Sequence, residues 1–292
     1  MERYVRFEAA EGIVWGILEE GRIEKISGNP VFDYETTGVN YDPASIRLLA
    51  PVEPTKIVCV GLNYREHVKE SQSADKVPDE PVLFLKPPSS LIGPGGRIEY
   101  PEMAARVDYE AELGVIIGRE CRNIAAIEAE DYIFGFTCVN DVTARDLQKK
   151  DVQWTRGKGF DTFCPVGPWV VDKLGYEDIL VESYLNGELR QSSKTSMLIF
   201  PITDLIAFIS KVMTLKPGDL ISTGTPKGIG PMQPGDRIEI RGFGVFQVKD
   251  TKPKPAACNP RTGEIIYVPA RRKTHFKPGK LLKEALHKPL EK

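Results

Sequence analysis

The chain has 292 residues, 41% of them hydrophobic and 27% charged, which is the composition of a soluble globular protein with a substantial core. No apolar run approaches the ~20 residues of a membrane span, and an N-terminus with Glu2, Glu8 and Glu11 is not that of a secretory signal. Five cysteines are scattered without a Cys-x-x-Cys pair, which predicts reduced thiols and a cytoplasmic location. We therefore expect one or two domains and no membrane partner.

Charge is distributed unevenly along the chain. Residues 249–292 hold 12 basic and 4 acidic side chains, a net charge of +8, and the other 248 residues hold 27 basic and 37 acidic ones, a net charge of −10. An acidic body followed by a basic tail indicates two regions of different origin.

The first 50 residues alternate short apolar runs with glycine turns, a pattern typical of a small antiparallel β unit. Pro51 and Pro54 then bound a linker, and the apolar run 56–60 predicts the first strand of a larger domain. We assign residues 1–52 to an N-terminal β domain, 53–248 to the main domain and 249–292 to the basic tail.

A lone histidine follows the strand at 56–60. Asn63 suits the N-cap of a short helix, in which His67 and Glu70 would share one face and therefore a proton or a water. His67 is the only histidine in the first 248 residues. The alternative is a polar surface group, which is the commoner role of a single histidine near a helix start.

The stretch 107–117 is the most strand-like in the sequence and opens with three carboxylates. Alternation places Asp108, Glu110 and Glu112 on one face, and a second strand-like run ends beside Asp141. Two carboxylates about 4 Å apart repel by roughly 4 kcal/mol at an effective dielectric near 20, so a positive group is expected among them. Oxygen ligands favour Mg²⁺, Mn²⁺ or Ca²⁺. A solvated acidic strand face is the alternative.

Three later stretches carry polar or glycine-rich patterns. A helix beginning near residue 143 would place Arg145 and Gln148 on one face, for which a solvated helix surface is the alternative. Lys158 lies between two glycines, where the backbone can approach a ligand, although a surface turn has the same pattern. The glycine-rich run 224–230 lacks the spacing of a P-loop and does not predict nucleotide binding.

Six motifs in register over about residues 1–248 resemble the fumarylacetoacetate hydrolase family, in particular bacterial members with a short N-terminal β domain. The motifs are Gly-Leu-Asn-Tyr-Arg-Glu-His-Val-Lys-Glu (61–70), Phe-Leu-Lys-Pro (84–87), Asp-Tyr-Glu-Ala-Glu-Leu (108–113), Asn-Asp-Val-Thr-Ala-Arg-Asp-Leu-Gln (140–148), Gly-Lys-Gly-Phe-Asp (157–161) and Thr-Gly-Thr-Pro-Lys-Gly (223–228). This resemblance implies a β-rich α+β fold, a mixed β-roll, which is usually dimeric, and we expect a homodimer.

The resemblance also implies roles for nine residues. Glu110, Glu112 and Asp141 would hold a magnesium or manganese ion. The carboxylate and oxo oxygens of the substrate would be bound by Arg145, Gln148, Thr225 and Lys158. The last of these would also act close to the chemistry, and His67 and Glu70 would activate a water.

Known members of that family hydrolyse C–C bonds of acylpyruvates and related diketo acids, decarboxylate oxo acids or isomerise hydroxymuconate-type dienoates. Cleavage beside a chelated 2-oxo group expels pyruvate enolate and needs a water at the distal carbonyl. His67, oriented by Glu70, supplies a base for that water. The pair therefore favours a C–C bond hydrolase acting on a diketo acid. The alternative is an isomerase or decarboxylase of 2-hydroxyhepta-2,4-diene-1,7-dioate-type or oxo-acid substrates.

The basic tail resembles a second family. Residues 237–248 could close the fold of the hydrolase, and they also read like a strand pair of HU and integration host factor, the bacterial DNA-bending proteins. The C-terminal half of that family is matched by 259–264, 268–272 and 276–286. In it, an Asn-Pro tip on a β arm wedges between base steps. The two helices that build the HU dimer are missing here. We therefore expect a β arm and a short C-terminal helix that bind DNA weakly at most, with DNA binding through the tail as the rival function.

Overall fold

Antiparallel strands fill the first 50 residues, as the alternation of apolar runs predicts. They are β1 (Arg3–Ala9), β2 (Gly12–Glu19), β3 (Arg22–Gly28), β4 (Tyr34–Tyr41) and β5 (Arg47–Leu49). The turn from β2 to β3 consists of Glu20 and Gly21, both with positive φ (46° and 81°), which matches the right-handed twist of the flanking strands. The computed structural model describes residues 1–71 and 76–241 and, beyond these, the backbone of four strands between residues 244 and 278.

The main body adds thirteen strands and four helices. The strands are β6 (Ile57–Gly61), β7 (Val82–Lys86), β8 (Leu91–Ile92), β9 (Val107–Tyr109), β10 (Ala111–Ile117), β11 (Ile133–Asn140), β12 (Thr143–Ala144), β13 (Cys164–Val171), β14 (Leu180–Leu185), β15 (Glu188–Lys194), β16 (Leu220–Ser222), β17 (Gly230–Pro231) and β18 (Ile238–Arg241). The helices are α1 (Arg65–Ser71), α2 (Arg145–Asp151), α3 (Thr155–Lys158) and α4 (Ile202–Val212). Short 3₁₀ turns cover Pro43–Ser45, Pro88–Ser90, Ala126–Tyr132 and Thr195–Met197.

One mixed sheet organises this body. Its strand order is β4-β3-β2-β1-β13-β11-β10-β16-β6-β7, with β5 beside β1 and β8 beside β13. The pairs β16–β6 and β13–β8 are parallel, and the other pairs of this sheet are antiparallel. The main body also contains two separate three-stranded sheets, β12-β9-β17 and β15-β14-β18. The fold is therefore the β-rich α+β type that the sequence predicts.

A shared hydrophobic core joins the first strands to the central ones. Tyr4, Trp15 and Ile26 from the N-terminal strands pack in one buried cluster with central residues such as Ile116 and Leu220. Each fully buried side chain of this size contributes about 1.5–3 kcal/mol relative to leaving it exposed. The sheet itself is continuous, because β1 pairs with β13. The domain boundary at residue 52 stays a prediction.

Asn63 is not the N-cap of the first helix. α1 begins at Arg65, and the Asn63 side chain instead ties this segment to two distant loops. Its Oδ1 accepts from the Phe200 N–H at 2.8 Å, and its Nδ2 donates to the carbonyl oxygen of Thr223 at 2.8 Å. The N-cap prediction is wrong because these tertiary hydrogen bonds replace a local one. Asn63 therefore fixes where α1 begins relative to the loop after β16.

The second compact unit comprises Phe243–Lys292, after a first unit of Met1–Gly242. Its backbone forms two antiparallel pairs, β19 with β22 and β20 with β21. These strands are β19 (Gly244–Asp250), β20 (Lys254–Cys258), β21 (Ile265–Val268) and β22 (Arg272–Pro278). Nested strand pairs thus occupy the segment for which a β arm is predicted. The Asn-Pro tip at 259–260 and the predicted helix at 281–286 lie outside the described residues.

Across the described part of the chain, none of the helices has the length and apolar character needed to cross a membrane.

Candidate metal centre and active site

Strand pairing brings three carboxylates together. Glu110 lies between β9 and β10, Glu112 is the second residue of β10, and Asp141 directly follows β11. Because β10 and β11 are antiparallel with Ala111 opposite Asn140, the two chain segments meet at this point, and the Asp141 N–H donates to the Glu110 carbonyl at 2.9 Å. One oxygen from each of the three carboxylates lies within 4.8 Å of the others.

These carboxylates are not on a solvated face. Glu110, Glu112 and Asp141 are 3%, 2% and 1% exposed, so the alternative of a surface strand is excluded. Asp108, expected to converge with Glu110 and Glu112, does not join them. The strand breaks at Glu110, and Asp108 lies in the sheet of β9, β12 and β17, where it accepts hydrogen bonds from Arg106 and Arg145. The break ends the alternation on which that expectation depended.

Two lysines and an arginine balance the buried negative charge. The Lys158 Nζ donates to Glu110 Oε2 at 2.8 Å and to Asp141 Oδ2 at 2.5 Å. The other oxygen of Asp141 accepts from Lys86 Nζ at 2.6 Å, and Arg145 binds the other oxygen of Glu110. Burial by itself lowers the pKa of Lys158, but the Asp141 and Glu110 charges outweigh it and raise that pKa. Lys158 is therefore an ammonium, and it does not lie in a surface turn.

Glu112 is the carboxylate of the group without a cation of its own. Its Oε2 accepts from the Ser222 hydroxyl at 2.6 Å and from the Gly224 N–H at 2.8 Å. Burial and the neighbouring charges of Asp141 and Glu110 raise the pKa of Glu112 to about 8. Glu110 differs: burial would raise its pKa, but Lys158 and Arg145 hold it well below the usual range.

His67 and Glu70 lie on one face of α1, as predicted, but His67 is buried. Its Nδ1 lies 3.7 Å from Glu70 Oε2, which is an ion-pair distance longer than a hydrogen bond, and this Nδ1 makes no hydrogen bond. Both carboxylate oxygens of Glu70 accept from the Gly228 N–H, at 3.0 and 3.1 Å. Burial by itself raises the pKa of Glu70, but His67 and the Gly228 amide outweigh it and lower that pKa.

The remaining predicted residues reach the same cleft. Arg145 and Gln148 are both buried on α2, joined by a hydrogen bond of 2.7 Å from Arg145 Nη1 to Gln148 Oε1. Thr225 donates to the carbonyl of Ala111 at 2.9 Å and accepts from Gln191 at 2.8 Å. The cleft is lined by eight of the nine predicted residues, with Glu70 directly behind His67. Their individual roles stay predictions.

The sequence reasoning missed three residues of this region. Lys86 is 1% exposed and holds both Asp141 and the carbonyl of Val142, at 2.9 Å. Its position in Phe-Leu-Lys-Pro, at the end of a buried strand, was the available signal. Phe84, the first residue of the same motif, and Trp154 also line the cleft, and an aromatic side chain alone does not reveal whether it belongs to a cleft wall or to a core.

The triad fits a divalent cation. Three buried carboxylates whose oxygens converge within 4.8 Å, one of them without a cation of its own, form a donor set of hard oxygen ligands. Such a set suits magnesium or manganese. Glu110, Glu112 and Asp141 are the residues that would hold the ion.

Comparison with known proteins identifies the family to which this chain belongs. The family model for the C-terminal region of fumarylacetoacetate hydrolase matches residues 56–250, which is more than half of the chain. This protein belongs to the fumarylacetoacetate hydrolase family. A model for an Rv2993c-like N-terminal region matches residues 2–51 of this family member, and a bacterial DNA-binding protein model matches residues 230–287.

Relatives of this fumarylacetoacetate hydrolase family member include proteins named as tautomerases and an isomerase. Oxaloacetate tautomerase YisK of Bacillus subtilis is 43% identical over 68% of this chain and 71% of its own. Mitochondrial oxaloacetate tautomerase Fahd2a of Rattus norvegicus is 41% identical over 70% of this chain and 69% of its own. The crystal structure of 2-hydroxyhepta-2,4-diene-1,7-dioate isomerase from Mycobacterium marinum has a TM-score of 0.77 at 40% identity, covering 83% of this chain and 94% of that one.

Metal affinity should depend on pH through Glu112. A carboxyl with a pKa of about 8 must lose its proton before it binds a cation. The dissociation constant for Mg²⁺ should therefore fall about 50-fold between pH 6 and pH 8, with close to one proton released per ion at pH 6. Calorimetry in two buffers with different ionisation heats measures both quantities. Glu112→Gln should bind weakly and without this proton release; wild-type affinity that is independent of pH contradicts the assignment.

Removing the ammonium of Lys158 should strengthen metal binding and weaken the metal-free protein. Lys158→Met leaves Glu110 and Asp141 without a shared cation, which costs the metal-free state about 3–5 kcal/mol. Mg²⁺ then has no ammonium to displace, so the increase in Tm on adding Mg²⁺ should exceed that of the wild type. Lys56→Met, which breaks a pair with the buried Asp219 elsewhere, should lower Tm without altering metal affinity. Equal Mg²⁺ affinities in wild type and Lys158→Met would show that the Lys158 ammonium does not compete with Mg²⁺ for these carboxylates.

Proposed function

We propose that this enzyme moves a proton at the carbon beside the oxo group of a small 2-oxo acid, in a tautomerase or isomerase reaction. One observation carries the proposal: His67 lines a cleft whose carboxylates, Lys158 and Arg145 are all engaged with other groups, and its Nδ1 lies 3.7 Å from Glu70 Oε2, so that the opposite ring nitrogen, Nε2, is the one that would serve the substrate. An imidazole nitrogen in this position can accept a proton from the substrate and return it.

The relatives support this reaction class over the hydrolysis expected from the sequence. The two tautomerases and the isomerase are named for reactions that shift a proton and a double bond without attack by water. Hydrolysis of a C–C bond is the second candidate, because the same His67–Glu70 pair suits activation of a water. The two reactions share the head group of the substrate and differ in whether a water is held at a second carbonyl.

Fixed positive charge prepares the site for an enolate. Lys158 is protonated and fully buried, and it lies beside Glu110 and Asp141, two of the three carboxylates that line the cleft. It can therefore stabilise negative charge that develops on the substrate oxygen. Arg145 and Gln148 present a guanidinium and an amide to the substrate carboxylate. A magnesium ion held by the carboxylate triad would add a Lewis acid that polarises the oxo group.

Glu70 acts through His67. Its two oxygens are fixed by the Gly228 N–H, and Oε2 lies 3.7 Å from His67 Nδ1. In this arrangement the carboxylate favours the imidazolium that forms when His67 takes a proton. His67 then returns the proton. Delivery to the oxygen gives the enol, and delivery to the carbon beside the oxo group gives the keto form.

The dimensions of the cleft favour a small substrate. The cleft is small, with a free volume of about 20 Å³, and most of its lining residues are polar. A four- or five-carbon oxo acid fits this size better than a long acylpyruvate. We therefore propose a compact substrate of the oxaloacetate class.

Replacing His67 should separate proton transfer from binding. His67→Ala should lower kcat for the enol–keto conversion of oxaloacetate, followed by ultraviolet absorbance, by ~10²–10⁴-fold with little change in Mg²⁺ affinity. Glu70→Ala should lower kcat by a smaller factor. Glu66→Ala is the matched control on the same helix, since Glu66 pairs with Lys227 on the surface, and it should keep wild-type kcat.

The same proteins decide between the two candidate reactions. Pyruvate release from acetylpyruvate and longer acylpyruvates is measured with and without Mg²⁺. Rapid pyruvate release together with slow oxaloacetate tautomerisation would show that hydrolysis, not proton transfer, is the reaction of this enzyme. An unchanged kcat in His67→Ala for both substrate types would remove His67 from either mechanism.

The basic tail is a separate proposal. Residues 249–292 carry a net charge of +8, and their match to a bacterial DNA-binding protein model supports contact with phosphates. The first 248 residues carry −10, which opposes that contact. Bending a duplex costs a few kcal/mol per unstacked step and is normally offset by a large wrapped surface. We propose weak binding without sequence preference.

A duplex titration tests the tail. The full chain should bind DNA at low salt and lose most of that affinity at physiological salt, and a chain ending at Val248 should not bind at either. Tight binding by the full chain at physiological salt, lost on truncation, would show that DNA is a functional partner.

A further inference from the structure

The cleft has an apolar side that the chemistry does not use. The polar lining residues hold charge or a proton, whereas the apolar lining comes from Val60 and Gly61 at the end of β6, Leu62 directly after it, Phe84 on β7 and Trp154 before α3. A substrate whose head group lies at the carboxylates and Lys158 meets this side with its remaining carbons. The Phe84 ring marks the boundary, because its centroid lies 4.8 Å from the Lys158 ammonium.

Trp154 is held in place from two directions. A Cβ added at Gly61 would lie 2.6 and 2.9 Å from two carbons of its indole, so the ring rests directly on the backbone of Gly61. Phe84 meets the same indole edge-on, with ring centroids 5.2 Å apart and an interplanar angle of 69°. The Trp154 carbonyl in turn accepts from the Lys158 N–H at 2.9 Å. The ring is therefore a fixed wall one helical turn from Lys158.

We infer that Trp154 determines substrate size: its indole limits the substituent that the third carbon of the 2-oxo acid can carry. This inference rests on the proposed function, since it takes the 2-oxo head group to lie at Lys158 and the carboxylates. At an apolar wall of this kind, two substrates that differ by one methylene are discriminated by roughly 10- to 200-fold. The wall is assembled from three separate chain segments, and Trp154 itself lies outside the motifs that mark the other two.

The test uses binding of pyruvate, 2-oxobutanoate and 2-oxohexanoate, measured by calorimetry with the full chain in Mg²⁺. The wild type should bind pyruvate most tightly and 2-oxohexanoate least. In Trp154→Ala the affinity for 2-oxohexanoate relative to pyruvate should rise at least about tenfold, and Trp154→Phe should lie between. Leu85→Ala is the matched control: Leu85 is next to Phe84 on β7, is 48% exposed, and points to the opposite face, so the chain-length profile should not change.

Fluorescence gives a second reading that does not require turnover. The chain has three tryptophans, and Trp15 and Trp169 are buried in the core, at 7% and 4% exposure. Saturating pyruvate should change the emission of the wild type and leave that of Trp154→Phe unchanged. Binding by calorimetry with the same chain-length profile in Trp154→Ala and wild type would overturn the inference and leave the proposed function intact. No binding of any 2-oxo acid by the wild type would overturn both.

Discussion

Mutual repulsion among buried carboxylates is the constraint on which the rest of this site depends. Glu110, Glu112 and Asp141 are placed within 4.8 Å by the pairing of β10 with β11, and none is exposed enough for water to screen its charge. Lys158, Lys86 and Arg145 each supply a cation to this group from a different part of the chain. A divalent ion would join an arrangement in which the charges already nearly balance, so its binding would be coupled to the proton on Glu112 and to the position of the Lys158 ammonium.

The same electrostatic frame suits several reactions of 2-oxo acids. Stabilising an enolate requires only the cations and a proton carrier, whereas hydrolysis requires in addition a water positioned at a second carbonyl. Under the proposed function, the reaction would be decided by lining residues other than the carboxylates, among them His67, Phe84 and Trp154. The fold is that of the family, and the proposed choice of reaction and substrate rests on this smaller set of contacts.

Local patterns in the sequence predict much of the fold and of the polar site. The alternation in residues 1–50 and the strand-like acidic motif both correspond to observed elements. What the sequence does not reveal depends on tertiary contacts. Asn63 bonds to Phe200 and Thr223 instead of capping α1, and the break at Glu110 sends Asp108 to the arginines. Lys86 and Trp154 gain their positions from strands and loops far away in the chain.

A crystal of the full chain grown with Mn²⁺ and pyruvate tests directly whether the carboxylate triad binds a metal, because manganese is located by its anomalous scattering. We predict one strong anomalous peak among Glu110, Glu112 and Asp141, with the Lys158 ammonium withdrawn from at least one of the two carboxylates that it bridges and facing the bound acid. Two results would contradict this prediction. One is a manganese ion bound away from the three carboxylates, and the other is a site without manganese in which the Lys158 ammonium still bridges Glu110 and Asp141.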